Sequence, residues 1–65
     1  MTQREFDLLP GLLTRRQFLA VTGLSLHRLR EAIEAGIIGR RRVTPKGYCK
    51  YFKHDAARLN GFALN

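Results

Sequence analysis

Hydrophobic residues in the first half of the chain recur at helical spacing, and Gly23 divides the pattern into two segments. The first segment places four residues on its less polar side: Phe18, Leu19, Val21 and Thr22. Before them, Thr14 and Gln17 have the spacing of a capping box, in which the side chains satisfy backbone amides of the first turn. Because glycine readily adopts the left-handed conformation that ends helices, we predict a helix that begins after Thr14 and ends before Gly23.

The second segment begins after Ser25, whose hydroxyl group suits the N-cap position of a helix. Three apolar residues then have the i, i+3, i+7 spacing of one helical face: Leu26, Leu29 and Ile33. Gly36 is the predicted end of this helix, and Ile37 and Ile38 are expected to return to the core. Because only residues 22–25 separate the two predicted helices, their spacing is that of a helix-turn-helix.

After residue 38 the helical period gives way to short runs of β-branched, aromatic and basic residues. Pro45 and Gly47 punctuate a turn between residues 39–44 and residues 48–52. This pattern predicts a β-hairpin with a basic tip. A hairpin directly after the second helix makes the predicted arrangement a winged helix-turn-helix.

The two ends of the chain carry weaker signals. Residues 1–11 have mixed charges and end in a Pro-Gly turn, so we interpret them as an N-terminal arm. Asp55 is expected to cap a short helix over residues 56–59. Two apolar residues are expected to pack back on the core: Phe62 and Leu64. The predicted fold class is α+β, mainly α, with a single winged helix-turn-helix domain over residues 12–65.

Charge is distributed unevenly between the two halves of the chain. Twelve Lys or Arg residues stand against five Asp or Glu residues, which gives a net charge of +7. Residues 1–39 hold five of the cations against four acids, whereas residues 40–65 hold seven against Asp55 alone. This concentration favours association with a polyanion, which includes nucleic acid, an anionic membrane or an acidic protein.

Several functional classes have little support in the sequence. A chain of 65 residues has room for one domain and not for a deep catalytic cleft, so we expect neither an enzyme nor a cofactor. His27, Cys49 and His54 lack the spacing of a zinc site. A single cysteine, no apolar run of ~20 residues and no signal peptide predict a soluble cytoplasmic protein, with bacterial or viral origin left open.

Three short motifs follow one another in order: Leu12-Leu13-Thr14, Gly23-Leu24-Ser25 and Glu34-Ala35-Gly36. An aromatic pair and a short capped helix over residues 51–59 come after them. In this order the motifs resemble the excisionase-like DNA-binding domains, a branch of the MerR-type winged helix-turn-helix superfamily, over about residues 12–60. The resemblance implies a small architectural protein of a phage or other mobile element, which binds and bends DNA and assists an integrase or other recombinase. It also implies a bacterial or phage-encoded protein that is associated with the nucleoid.

The chain departs from this family at several positions. The family often has a small residue at the position of Leu19 and a large aliphatic one at the position of Ala32. The segment over residues 38–47 lacks the proline that usually follows directly after the second helix, and it is longer than is typical. A small prophage-type or plasmid-type transcriptional regulator fits the same resemblance. RNA binding and a basic protein-interaction module are alternatives of other classes.

The polar side of the second predicted helix carries the expected base contacts, because this helix enters the major groove in helix-turn-helix proteins. Arg28 is the first choice, since arginine bonds guanine O6 and N7 together. The full set of predicted base-contacting residues is His27, Arg28, Arg30 and Glu31. A surface ion pair between Arg30 and Glu34 is the plainer interpretation of that pair. Leu26 is open between a core position and a contact with a thymine methyl group.

Phosphate or minor-groove contacts are expected from cations in two places, the start of the first helix and the hairpin with the residues after it. The predicted residues are Arg15, Arg16, Arg40, Arg41, Arg42, Lys46, Lys50 and Lys53. A solvated, solubilising hairpin is the alternative. Tyr48 and Tyr51 are expected to pack under the hairpin, with stacking on single-stranded bases as the alternative. The expected partners are double-stranded DNA, an integrase and further copies of the chain along the DNA, with no membrane.

Overall fold

The computed structural model describes residues 1–63, in which four helices pack with a three-stranded antiparallel sheet. In chain order the elements are α1 (Gln3–Asp7), β1 (Leu12–Leu13), α2 (Arg15–Thr22), α3 (Leu26–Glu34), β2 (Arg40–Arg42), β3 (Cys49–Phe52) and α4 (Lys53–Asn60). About half of the chain is helical, as expected for a small α+β fold. Leu64, which was expected to pack on the core, lies outside the described residues.

The predicted caps of α2 and α3 are confirmed. The Thr14 hydroxyl accepts a hydrogen bond from the Gln17 amide, and the Gln17 side chain accepts one from the Thr14 amide. Gly23 ends α2 with a φ of 72°, a left-handed conformation that favours glycine. Ser25 then accepts from the Arg28 amide at 3.2 Å and begins α3. The turn between the two helices is therefore encoded by local chemistry on both sides.

Residues 1–11 are not an arm, because they contain α1 and bury Phe6 completely. Thr2 and Glu5 form a capping box, whose hydrogen bonds from Thr2 lower the pKa of the Glu5 carboxyl. The Phe6 ring stacks on Phe62 with centroids 4.7 Å apart. Gln3 and Ala63 exchange two hydrogen bonds of 2.9 Å, which join the two ends of the fold. One turn of helix is too short for a periodic signal, so the capping box was the only clue.

The sheet has the order β1-β3-β2, with β3 in the centre. Leu13 and Arg40 lie on either side of Tyr51, and Arg42 lies opposite Cys49. The predicted hairpin is present as β2 and β3, and Gly47 takes a φ of 92° in the turn that connects them. The Tyr51 ring packs beside Phe18 of α2, so this face of the sheet is covered near its centre.

Asp55 does not cap α4, because the helix begins earlier, at Lys53, with Phe52 in the N-cap position. Its buried carboxylate instead accepts hydrogen bonds from the Gly39 amide and the Arg58 guanidinium, both at 3.0 Å. Arg58 also donates to the Ile37 carbonyl. These bonds fasten the connector between α3 and β2 to α4, and so fix where the hairpin leaves the domain.

The core is formed by all the major elements except β2 and is made of nine buried residues: Phe6, Leu13, Phe18, Val21, Leu29, Ile38, Tyr51, Ala56 and Ala57. Ile38 returns to this core as expected, whereas Ile37 is about half exposed. Phe62 packs against it from the C-terminal side. Over residues 1–63, none of the helices has the length and apolar character needed to cross a bilayer.

Candidate nucleic-acid interface

A groove of about 390 Å³ separates the hairpin from the N-terminal end of α2. Thr14 and Arg15 line one side, and Arg40 and Tyr48 belong to the hairpin side. Two predicted phosphate-binding residues from distant parts of the sequence, Arg15 and Arg40, therefore meet at one surface feature. The capping box of Thr14 places Arg15 there, because it fixes the first turn of α2.

A second groove, of about 450 Å³, lies between the N-terminal ends of α2 and α3. Its apolar floor is formed by Leu19 and Leu26, and its cationic rim by Arg15 and Arg16. The two grooves share Thr14 and Arg15, so they form one continuous surface from α3 to the hairpin. We call this surface the cationic face. Leu26 is 47% exposed on it, which argues against a core position.

The cations on and around the cationic face lack carboxylate partners. Over residues 1–63 the contacts of ion-pair length between a basic side chain and a carboxylate are His27 with Glu31, and His54 and Arg58 with Asp55. None of the eight predicted phosphate contacts takes part in an ion pair within these residues, and neither do Arg28 and Arg30. The Arg30–Glu34 pair, the plainer interpretation of these two residues, is therefore not formed. The positive charge is free to interact with a polyanion.

The polar side of α3 divides into a centre and two flanks. At about 100° per residue, Arg28 and Arg30 project about 200° apart, on opposite flanks of the helix. The outward centre, opposite the buried Leu29, carries His27, Glu31 and Glu34. His27 Nε2 lies 2.9 Å from Glu31 Oε1, so these two predicted base contacts are bonded to each other. Arg30 lies one turn after Leu26 and shares its side of the helix, which is the side of the cationic face.

The hairpin arginines do not form a single patch. Directly paired residues of antiparallel strands share a face, and successive residues alternate between faces. Arg40 and Arg42 therefore lie on the face of Tyr51 and Cys49, whereas Arg41 and its partner Lys50 lie on the opposite face. Lys46 lies in the turn and is exposed. Arg40 and Arg42 share the face that α2 packs against, and Lys50 also lines the groove between the hairpin and α2.

Lys53 was expected to contact phosphate, but its ammonium group is occupied within the fold. It donates to the backbone carbonyls of Leu9 at 2.8 Å and Asp7 at 3.2 Å. The same nitrogen lies 4.8 Å from the centroid of the Phe6 ring. Lys53 therefore holds α1 against the start of α4. Sequence reasoning missed this role because it depends on α1, which was interpreted as an arm.

The two tyrosines have different environments, although the sequence suggested packing for both. Tyr51 is 5% exposed and belongs to the core, as expected. Tyr48 is 69% exposed and lines the groove between the hairpin and α2. The difference follows from their positions, because Tyr51 lies within β3 beside Phe18 whereas Tyr48 precedes β3, in the turn of the hairpin.

Cys49 is half-buried, and its thiol donates to the Gly47 carbonyl at 3.4 Å. Among residues 1–63, His, Cys, Asp and Glu side chains nowhere gather in a group of three or more that could hold a metal ion.

Comparison of the chain with protein-family models, curated proteins and solved structures finds no match. The cationic face is therefore interpreted from its own geometry.

Proposed function

We propose that the protein binds double-stranded DNA sequence-specifically, with α2, α3 and the β2–β3 hairpin acting as a winged helix-turn-helix. The observation that carries this proposal is the cationic face, where unpaired arginines from α2 and β2 adjoin the exposed start of α3. Cations in this arrangement gain free energy by displacing the counterions of a phosphate backbone. The same contacts would position α3 over the bases.

The distribution of charge favours a duplex over an acidic protein partner. The start of α2 and β2 are separated by the groove of about 390 Å³, and both of its sides present arginine. A regularly spaced phosphate backbone supplies negative charge on both sides of such a groove at once. Leu26 and Leu19 add an apolar floor, and thymine methyl groups are the apolar feature of the major groove.

Within DNA binding, we propose the role of a small excisionase that bends DNA and assists an integrase. The support for this role is the resemblance of residues 12–60, together with the small size of the domain. A small transcriptional regulator is the second candidate, and it would use the same surface. A bending assay on the bound site separates the two roles, as does excision in the presence of the cognate integrase.

The decisive experiment is selection of binding sites from random duplex DNA, followed by fluorescence anisotropy between 50 and 200 mM salt. We expect an enriched sequence and a steep linear fall of log affinity with log salt concentration. The substitution Arg15→Gln should reduce that slope by about 0.9, the value for one phosphate contact. Arg4→Gln is the matched control, because Arg4 is an exposed cation on α1.

If the selection enriches no duplex sequence, the proposal of sequence-specific binding is contradicted. Equal slopes for the Arg15 and Arg4 variants would remove the cationic face from the interface. A basic protein-interaction module would show neither the enrichment nor the slope, and would instead bind an acidic protein.

A further inference from the structure

Tyr48 is the one exposed side chain among the six aromatic residues of the chain, all of which lie within the described residues. Phe6, Phe18 and Tyr51 are buried, and Phe52 and Phe62 are partly covered. A domain of 65 residues has little apolar surface to spare for its core, so an aromatic ring left in solvent contributes almost nothing to its stability. The exposure of Tyr48 therefore calls for an explanation other than folding.

The backbone around Tyr48 is fixed although its ring is free. The Val43 amide donates to the Tyr48 carbonyl at 2.9 Å, and the Tyr48 amide donates to the Thr44 hydroxyl at 3.3 Å. The Gly47 amide donates to the Thr44 carbonyl at 3.1 Å, which closes the turn. A ring on a fixed backbone loses little conformational entropy when it binds, because only its side-chain torsions remain to be ordered.

The surroundings of the ring are cationic. Tyr48 lines the same groove as Arg15 and Arg40, and within residues 1–63 neither arginine has a carboxylate partner. Val43, beside Tyr48 at the start of the turn, is also exposed. An aromatic ring next to unpaired cations matches the needs of a nucleic acid, whose phosphates take the cations and whose bases take the ring.

We propose that Tyr48 is a stacking residue that inserts its ring at a base step of duplex DNA from the minor groove, while Arg15 and Arg40 hold the flanking phosphates. The proposal rests on the proposed function and adds to it the residue that deforms the duplex. Apolar side chains wedged between base pairs unstack one step and kink the helix. Tyr48 would thereby convert the binding energy of the hairpin into a bend.

The test uses the full chain and the selected duplex, with 2-aminopurine substituted at successive positions. The chain contains no tryptophan and two tyrosines, so in a Tyr51→Phe background all tyrosine emission comes from Tyr48. We expect Tyr48 emission to be quenched on binding and 2-aminopurine emission to rise at one step only. Tyr48→Ala should abolish that rise, reduce the bend measured by energy transfer between the duplex ends, and weaken affinity about tenfold.

Two control variants make the experiment specific. Tyr48→Phe retains the ring and should retain the rise and the bend. Leu8→Ala removes another exposed apolar side chain, 82% exposed at the end of α1, and should change neither. Thermal unfolding of each variant checks that the fold is kept.

The outcomes separate the two proposals. Duplex binding without a 2-aminopurine signal at any step, or with full affinity and bend in Tyr48→Ala, overturns the stacking role and leaves the proposed function intact. Ring-dependent binding to single strands in preference to the duplex overturns insertion into a base step. Absence of duplex binding by the unmodified chain overturns both.

Discussion

The helix α3 and the β2–β3 hairpin differ in how they carry charge. Helix α3 contains two arginines and two glutamates, and the His27 side chain lies 2.9 Å from the Glu31 carboxylate. Residues 40–52 hold five cations and no acid. A neutral helix gains little from counterion release, whereas an unpaired cationic hairpin gains much. The comparison teaches that most of the proposed affinity would come from the hairpin, while α3 would contribute selection among sequences.

The two regions are joined by a short connector that α4 holds in place. Asp55 and Arg58 bond the backbone of Gly39 and Ile37, directly between α3 and β2. Because the connector is fixed at both of these residues, the direction of the hairpin relative to α3 is set by the fold rather than by the DNA. The difference between the regions is therefore one of chemistry on a shared framework.

The largest effect is expected from the face of the hairpin that carries Arg40 and Arg42. The double variant Arg40→Gln/Arg42→Gln should weaken DNA binding about 60-fold at 0.1 M salt, since each phosphate contact contributes about 0.9 log unit there. Its salt slope should fall by about 1.8. Anisotropy titrations at several salt concentrations measure both quantities.

The matched control is Arg41→Gln/Lys46→Gln, which removes the same charge from two hairpin residues that do not line the groove, Arg41 on the opposite face of β2 and Lys46 in the turn. The salt slope of this control should fall by less than half as much as that of Arg40→Gln/Arg42→Gln. If the two double variants behave alike, the hairpin acts as a diffuse cation and the assignment of one face is wrong.

A second effect is expected at the connector between the two regions. Asp55→Ala leaves the Gly39 amide without its acceptor and the Arg58 guanidinium without its carboxylate. We expect a loss of about 2 kcal/mol in the free energy of unfolding, as for other buried hydrogen-bonded groups that lose a partner. Urea unfolding followed by circular dichroism measures it, and unchanged stability would show that the connector needs no anchor. His54→Ala, which removes the more distant exposed partner of Asp55, is the control.

Much of the backbone was predictable from short local signals, which place the ends of several helices where the structure has them. Thr14, Gln17, Gly23 and Ser25 fix both ends of α2 and the start of α3 through their own hydrogen bonds, so no tertiary information is needed there. The turn around Gly47 likewise follows from its sequence. The bonds of Lys53 to Asp7 and Leu9 and of Asp55 to Gly39 were not predictable, because these partners lie 16 or more positions away along the chain, which no local pattern reveals.

The candidate site was less predictable than the fold. Its residue types follow from charge, but their division between two faces depends on the register of Arg41 opposite Lys50. A shift of one residue in that register would exchange the faces of every arginine in β2. Arg28 was the first choice for a base contact from the sequence. We now propose Arg30 ahead of it, because Arg30 lies on the same side of α3 as Leu26 whereas Arg28 does not.

A third prediction concerns the two flanks of α3. Arg30→Gln should relax the preference at one base pair by about 1–3 kcal/mol, the range for a bidentate contact with guanine. Arg28→Gln, on the opposite flank, is the paired control and should leave the selected sequence unchanged. Repeating the site selection with each variant measures this change in preference. If Arg28→Gln relaxes the preference and Arg30→Gln does not, the flank of α3 that contacts the bases is that of Arg28.

The smallest effect is expected at Leu26, on the apolar floor beside α2. Replacing thymine by uracil removes one methyl group from the duplex, which costs about 0.8 kcal/mol, or about fourfold in affinity, where that methyl is buried. In Leu26→Ala the same replacement should cost almost nothing. A double-mutant cycle across the two changes measures the coupling, and additive losses would exclude a contact between them.

The two hydrogen bonds between the Gln3 side chain and the Ala63 backbone form a clasp that holds the first and last turns of the described chain together. A short linker across that clasp, in place of residues 64–65, would join the first and last described turns. New termini can then be opened in the hairpin turn, where Pro45 and Lys46 are exposed. In such a permuted chain β3 stays paired with β1 and only its covalent link to β2 is cut, so the contribution of the turn to DNA binding can be measured on a domain that keeps its core.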